Sequence, residues 1–104
     1  MLEREIEKFL TKKIKQDDGL CYKFVSPGNA GVPDRLIITK LGEAIFVELK
    51  TEKGKTTALQ ETQIRRLREH KQNVYILYGK SDVLRFLEKI RTDEKAREDK
   101  KSDV

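Results

Sequence analysis

Residues 28–50 read GNAGVPDRLIITKLGEAIFVELK, and this stretch decides the fold of the chain. Two apolar runs separated by a short turn that contains glycine are typical of a β-hairpin. Three ionic residues, Asp34, Glu48 and Lys50, stand where a sheet should be apolar. Only 37% of the residues are hydrophobic, so the chain has few apolar positions to spare. Charges at these points therefore indicate a role other than packing.

The register of this hairpin decides whether the three charges meet. A three-residue turn at 40–42 places Asp34 opposite Glu48 on one face of the sheet. Lys50 lies two residues beyond Glu48 and therefore on the same face. A two-residue turn would shift the pairing by one residue and make the match diagonal. The sequence favours the first register without excluding the second.

Two opposed carboxylates repel each other unless something neutralises them. Lys50 can do part of this. Mg²⁺ does it better, because it takes one or two carboxylates and keeps positions for water and phosphate. The alternative is a structural ion pair at a strand end. The residues alone leave both the metal site and the ion pair open. With one Cys and one His in the chain, a structural zinc site is excluded.

The rest of the chain predicts an α/β domain with a mixed sheet. Apolar residues at helical spacing predict the helices, and turn residues mark the ends of the strands. In the second predicted helix we expect Leu59, Ile64 and Leu67 to face inward. The predicted elements are a helix at 2–15, strands at 20–25, 34–39 and 43–50, a helix from Thr56 or Thr57 to about Lys71, a strand at 74–78 and a helix that Ser81 and Asp82 open. This order is αβββαβα.

Composition restricts the function classes. The 104 residues suit one domain, 1–90, followed by a charged tail, 91–104, that is either a helical extension or disordered. The net charge of +5 comes from the first 90 residues, because the tail holds five basic and five acidic groups. A basic body suggests a polyanionic partner such as DNA. No segment suits a membrane span, and the single Cys21 fits a reducing compartment, so we expect a cytoplasmic protein.

The hairpin motif resembles that of a known nuclease superfamily. Gly31-Val32-Pro33-Asp34, thirteen intervening residues and Glu48-Leu49-Lys50 are similar to the PD-(D/E)XK signature. The segments SPGNAGVPDRLI, FVELKTEKGKTTALQ and EREIEKFL resemble the virus-type replication-repair nuclease (VRR-NUC) domain of the stand-alone phage or bacterial type. The resemblance covers nearly all of 1–90. It implies a restriction-endonuclease-like αβββαβ core with a C-terminal helix added.

The resemblance implies roles for individual residues. Asp34 and Glu48 would bind Mg²⁺ or Mn²⁺ together with the backbone carbonyl of Leu49. Lys50 would orient the attacking water and stabilise charge on the scissile phosphate. Gln60 matches the glutamine that opens the helix after the motif, and its amide should point into the site.

The first helix should add one acidic residue to this site. Glu3, Glu5 and Glu7 compete for the role. At about 100° per residue Glu3 lies nearest the apolar stripe, so we choose Glu3 and keep Glu7 in reserve. Basic residues are candidate phosphate contacts, each of which could equally be a solvated surface charge: Lys53, Lys55 and Arg65 first, with Lys12, Lys13, Arg66 and Arg68.

The function implied is a metal-dependent DNA endonuclease. Stand-alone members of the family are associated with branched DNA, notably four-way (Holliday) junctions, and with DNA repair. The alternatives are an inactive DNA-binding module of the same fold and a flap-specific nuclease.

A homodimer is expected for two reasons. The strand at 74–78 and the helix residues Leu84, Phe86 and Leu87 offer more apolar surface than one small sheet needs. A four-way junction is also nearly two-fold symmetric, as a dimer is.

Overall fold

The computed structural model describes residues 1–102 and confirms the predicted order of elements. Three helices and four strands form one α/β domain. The elements are α1 (Glu3–Gln16), β1 (Leu20–Lys23), β2 (Arg35–Ile38), β3 (Ala44–Lys50), α2 (Ala58–Glu69), β4 (Asn73–Tyr78) and α3 (Gly79–Ser102). The αβββαβ core and the added C-terminal helix are therefore both present.

The four strands form one mixed sheet in the order β1-β2-β3-β4. The pairs β1–β2 and β2–β3 are antiparallel, and β3–β4 is parallel because α2 carries the chain back across the sheet. Leu36 pairs with Phe46, and Thr39 N donates to Glu43 O at 2.9 Å. These pairs close a three-residue turn, in which Gly42 has φ 91°. The predicted hairpin register is confirmed.

The two faces of the sheet are covered differently. The inner face packs against α1 and α3 and forms the core, which includes Ile6, Leu10, Ile37, Val47, Leu49, Leu77 and Leu87. The opposite face, called the outer face below, carries Tyr22, Leu36 and Phe46 in one row across three strands. On this face α2 packs against β4, with Ile64 buried. The catalytic candidates therefore lie on the less covered side.

One predicted core position in α2 is wrong. Leu59 is 60% exposed, whereas Ile64 is buried as expected. The reason is the loop that precedes β2: a Cβ added at Gly31 would lie 2.6 Å from the carbonyl carbon of Leu59. The loop thus packs against the backbone of the first turn of α2, and the Leu59 side chain points away from the body. The helix also ends at Glu69, since Lys71 has φ 65°.

The predicted tail continues α3 as a helix through Ser102. Its proximal part is attached to the body by ion pairs. Arg91 Nε lies 2.9 Å from Asp17 Oδ2, and Lys40 Nζ lies 3.2 Å from Glu98 Oε1. Glu94 is buried between these pairs. Residues 103–104, which belong to the predicted tail, lie outside the described residues.

The surplus apolar surface expected on the last strand and helix is wrong in large part. Leu77, Phe86 and Leu87 are buried on the inner face, where α3 packs together with α1. Val74 is buried on the outer face, where α2 packs against β4. Leu84 is exposed. Among the described helices, none is long and apolar enough to cross a lipid bilayer.

The approach of Gly31 to α2 predicts a position-specific effect of alanine. Gly31→Ala would strain a backbone at φ 92° and force a Cβ against Leu59 O and Gln60 N, at 2.6 and 2.8 Å. Gly28→Ala is the matched control, because Gly28 has φ 83° but nothing within 4 Å of its Cβ position. We expect the control to lose about 1 kcal/mol and Gly31→Ala about 2 kcal/mol more, in urea denaturation. Equal losses would contradict the tight contact.

Candidate active site

Two carboxylates meet at one end of the outer face. Glu48 lies in β3 between Val47 and Leu49, and strand alternation sends those two neighbours into the core and Glu48 to the other side. Glu48 is 1% exposed. Asp34 directly precedes β2, and its carbonyl accepts a hydrogen bond from Phe24 N at 2.7 Å. That bond extends the β1–β2 pairing and holds Asp34 beside Glu48.

The Glu48 carboxylate has different partners on its two oxygens. Oε2 accepts a hydrogen bond from Gln60 Nε2 at 3.3 Å and lies 3.9 Å from Lys50 Nζ. Oε1 is buried and, among the described residues, has no hydrogen-bond partner. A buried carboxylate oxygen without a donor is costly. It is therefore the atom of this site that most needs an external ligand.

The surroundings raise the pKa of Glu48 to about 8. Burial is the largest cause, because it penalises the charged form. A hydrogen bond with Asp34 and the negative charge of Asp34 add to it. Lys50 opposes the shift, and Glu3 adds to it from α1. The site is thus short of positive charge.

Gln60 is positioned by the cap of α2. Thr57 is the N-cap, and its side chain accepts a hydrogen bond from Gln60 N at 3.2 Å. Gln60 Oε1 in turn accepts from Thr57 N at 2.9 Å, which is a reciprocal capping box. Because the oxygen is occupied in the cap, the Nε2 group is left to donate to Glu48. The expected inward direction of the Gln60 amide is observed.

The three glutamates of α1 differ in the contacts that they make. Glu5 Oε2 accepts from Leu2 N at 3.3 Å and caps the helix. Glu7 forms an ion pair with Arg35 at the start of β2. Glu3 is the one whose charge acts on Glu48. The choice of Glu3 for the site stays a prediction.

The remaining candidates lie around this centre. Leu49 stands between Glu48 and Lys50, with its side chain in the core. Lys53 and Lys55 are exposed in the loop between β3 and α2. Arg65 lies on the β4 side of α2, where its Nε is 3.7 Å from Glu69 Oε1 and it lines a groove of about 490 Å³ with Ile76. Ile76 is the residue of β4 that pairs with Glu48.

The donor set suits a small divalent cation that keeps most of its water. Among the described residues, no group of three or more His, Cys, Asp or Glu side chains is arranged as a metal cage. Two carboxylates and a backbone carbonyl are nevertheless the hard oxygen ligands that Mg²⁺ takes alongside water and phosphate. The partnerless Glu48 Oε1 fits such a ligand role. The residues present therefore fit the metal that the motif implies.

Three supporting features of the site were missed in the sequence. The Thr57–Gln60 pair is a T-x-x-Q capping-box signature and could have been found. The contact of Gly31 with α2 could not, because it joins segments that are distant in the chain. The Glu7–Arg35 ion pair, which ties α1 to β2, had no sequence signal either.

Comparisons with known proteins identify the class of protein to which this chain belongs. No family model matches the chain. A curated relative, "Putative nuclease p44" of Acyrthosiphon pisum secondary endosymbiont phage 1, is 47% identical over 68 residues, which are 65% of this chain and 67% of the relative. A solved structure described as a VRR_NUC domain superposes with a TM-score of 0.78 at 29% identity, over 83% of this chain and 94% of its own.

A second solved structure, a VRR_NUC domain protein, has a TM-score of 0.72 at 16% identity, over 86% of this chain and 87% of its own, and shows the fold alone. The fold, the site and the phage relative together define a nuclease. The chain belongs to the VRR-NUC family.

The raised pKa of Glu48 predicts how stability depends on pH without metal. The folded protein keeps the Glu48 proton up to about pH 8, whereas the unfolded chain loses it near the ordinary 4.5. In this window the unfolded state binds fewer protons, so wild-type stability falls as pH rises. Glu48→Gln removes this loss. We expect the variant to gain about 1–3 kcal/mol over wild type by pH 8, and little at pH 4.5.

Urea denaturation in EDTA at several pH values measures this difference. Glu88→Gln is the control, because Glu88 is exposed in α3, and it should follow wild type across the range. A constant gap between Glu48→Gln and wild type at all pH values would contradict the assignment of the proton to Glu48.

Proposed function

We propose that this nuclease is a metal-dependent endonuclease that hydrolyses phosphodiester bonds in DNA at the Asp34–Glu48–Lys50 centre. The observation that carries the proposal is the state of Glu48. A fully buried carboxylate beside a second carboxylate, with one oxygen lacking a donor, is stable only if a cation or a proton completes it. A structural ion pair would satisfy both oxygens of Glu48 within the protein.

The residues present would divide the chemistry among them. Asp34, Glu48 and the Leu49 carbonyl would hold Mg²⁺ or Mn²⁺. When bound there, such an ion supplies charge neutralisation at the phosphate and a more acidic water. Lys50 is half-buried on the same face and presents a compact ammonium that can donate to a phosphate oxygen or to the attacking water. Gln60 holds the Glu48 carboxylate in orientation, and Glu3 is placed to accept from a water.

A DNA-binding module without catalysis is the competing function of another class. It would need the basic surface but would gain nothing from a buried carboxylate pair. Negative charge at this position repels phosphate unless a cation intervenes. The acidic centre on a chain of net charge +5 therefore favours the enzyme.

Single substitutions at the centre should separate catalysis from binding. We expect Asp34→Asn, Glu48→Gln and Lys50→Ala each to lower the cleavage rate at least about 10²-fold, because the first two weaken the proposed metal site and the third removes the ammonium that would stabilise the reacting phosphate. Circular dichroism should show the fold intact, and Glu88→Gln should cut as wild type does. The assay is release of label from branched and duplex DNA with Mg²⁺, Mn²⁺ or EDTA. Cleavage that persists in EDTA would overturn the proposal.

For the substrate we propose branched DNA, with four-way junctions before flaps. We expect recognition to rest on backbone charge and DNA shape, because the basic body supplies phosphate contacts. Lys53 and Lys55 stand in the loop directly after the catalytic strand, where they can contact phosphates. In a bacterial or phage-infected cell such a reaction would take place in the cytoplasm, as part of DNA repair.

We also propose that the active form is a homodimer. β4 is an edge strand of the sheet, and Tyr75, Ile76 and Tyr78 along it are half-buried. Pairing two β4 edges across a two-fold axis would bury these side chains and leave both outer faces open to DNA. Two symmetric sites suit the two incisions that resolve a junction.

Light scattering at micromolar concentration tests the dimer. We expect a mass near twice the 12.1 kDa of one chain, and paired nicks within one binding event on a junction. Ile76→Lys places a charge on the paired edge and should shift the mass toward the monomer, whereas Leu84→Lys on the exposed side of α3 should not. A monomeric wild type that resolves junctions by independent nicks would overturn the dimer.

A further inference from the structure

The uncovered part of the outer face carries aromatic side chains beside the catalytic centre. Tyr22 is 55% exposed in β1, and β1 is the other edge strand. It pairs with Leu36, which pairs in turn with Phe46. Phe24, at the end of β1, meets the Phe46 ring edge-on, with centroids 5.4 Å apart. The result is an aromatic surface made of Tyr22, Phe24 and Phe46.

This aromatic surface is continuous with the active site. Phe24 N donates to Asp34 O, so Phe24 lies in the same cross-strand row as Asp34 and Glu48. The row of Tyr22 and Phe46 is the next one, two residues along each strand. At about 3.3 Å per residue the two rows are separated by roughly 7 Å, which is about the distance between neighbouring phosphates of a DNA strand. Neighbouring strands lie about 4.8 Å apart, and Tyr22 is one strand away from Asp34 and two strands away from Glu48, so the backbone positions are separated by roughly 8 and 12 Å. Whatever covers Tyr22 therefore lies one to two nucleotides from the carboxylates.

A second copy of the chain is a poor occupant of this surface. Flat packing over Tyr22 and Phe46 would also bury the adjacent carboxylates and close the site to substrate. The helices of the described residues leave the surface free on this side, because α1 and α3 pack on the inner face and α2 on β4. DNA must cross the outer face to reach Glu48, and the positive charge of the body attracts it.

We propose that Tyr22 stacks on an unpaired nucleobase of the DNA strand next to the bond that is cut, with Phe24 and Phe46 completing the platform. Exposed aromatic rings on a sheet are the usual support for single-stranded bases. In a continuous duplex both faces of each base are covered by its neighbours, so the platform can be filled only where a strand leaves the duplex. The inference rests on the proposed nuclease function and adds a preference for unpaired nucleotides at the site.

The absence of tryptophan from the sequence provides a direct reporter. Tyr22→Trp, combined with Glu48→Gln and studied in EDTA, puts a single indole on the platform of a protein that cannot cut. We expect oligothymidine of about 15 nucleotides to quench its emission. The same backbone with abasic sites throughout should bind about tenfold more weakly and leave the emission unchanged. Emission that stays constant while the anisotropy of labelled oligothymidine shows binding would overturn the stacking.

Two further variants separate stacking from other uses of the surface. Tyr22→Phe keeps a ring and should bind oligothymidine as wild type does, whereas Tyr22→Leu should lose about tenfold in affinity with little change for fully paired duplex. Leu84→Ala, an exposed apolar change on α3, should alter neither. Equal losses for Tyr22→Phe and Tyr22→Leu, or a Tyr22→Leu protein that changes its mass in light scattering, would overturn the platform.

Binding and cutting of DNA by the wild-type protein test the nuclease function separately from the platform. Wild-type protein that binds neither labelled duplex nor junction DNA at low salt would reject the proposed function, and the platform with it. Protein that binds and cuts junctions but shows no dependence on Tyr22 would reject the platform alone.

Discussion

The buried carboxylate of Glu48 is the constraint on which the rest of the structure depends. A charge in this position is unfavourable, and the fold places two groups beside it that reduce the penalty: Lys50 from the same strand and Gln60 from α2. One oxygen is still left without a donor. Such local instability is expected where a site is completed by its substrate and cation rather than by the protein.

The hairpin register and the cap of α2 each position a side chain beside the Glu48 carboxylate. The three-residue turn sets which residue of β2 lies opposite Glu48, and a slip of one residue would send Asp34 to the core. Gly31 lets the loop before Asp34 approach the first turn of α2, where Thr57 holds Gln60. The loop before Asp34, the first turn of α2 and β3 are therefore linked by direct contacts. A change in any of them would alter the surroundings of Glu48.

Most of the outer face of the sheet is uncovered because most of the buried apolar residues pack on the inner face. α1 and α3 both pack on the inner face, where Val83, Phe86 and Leu87 join the core. Only α2 remains for the outer face, and it covers β4. The open part, with Tyr22 exposed, is the direction from which a polyanion can reach the centre without displacing a helix.

From the sequence came the order of elements, the favoured hairpin register and the candidates Asp34, Glu48 and Lys50, because strand alternation, turn residues and a motif of fixed spacing are local patterns. The candidate Gln60 came from the resemblance to the VRR-NUC domain. The tertiary structure alone shows that Leu59 faces solvent and that Phe86 and Leu87 are internal. These outcomes depend on which helix face meets which strand. The period of an amphipathic helix shows which of its faces is apolar, but not which strand or loop that face meets.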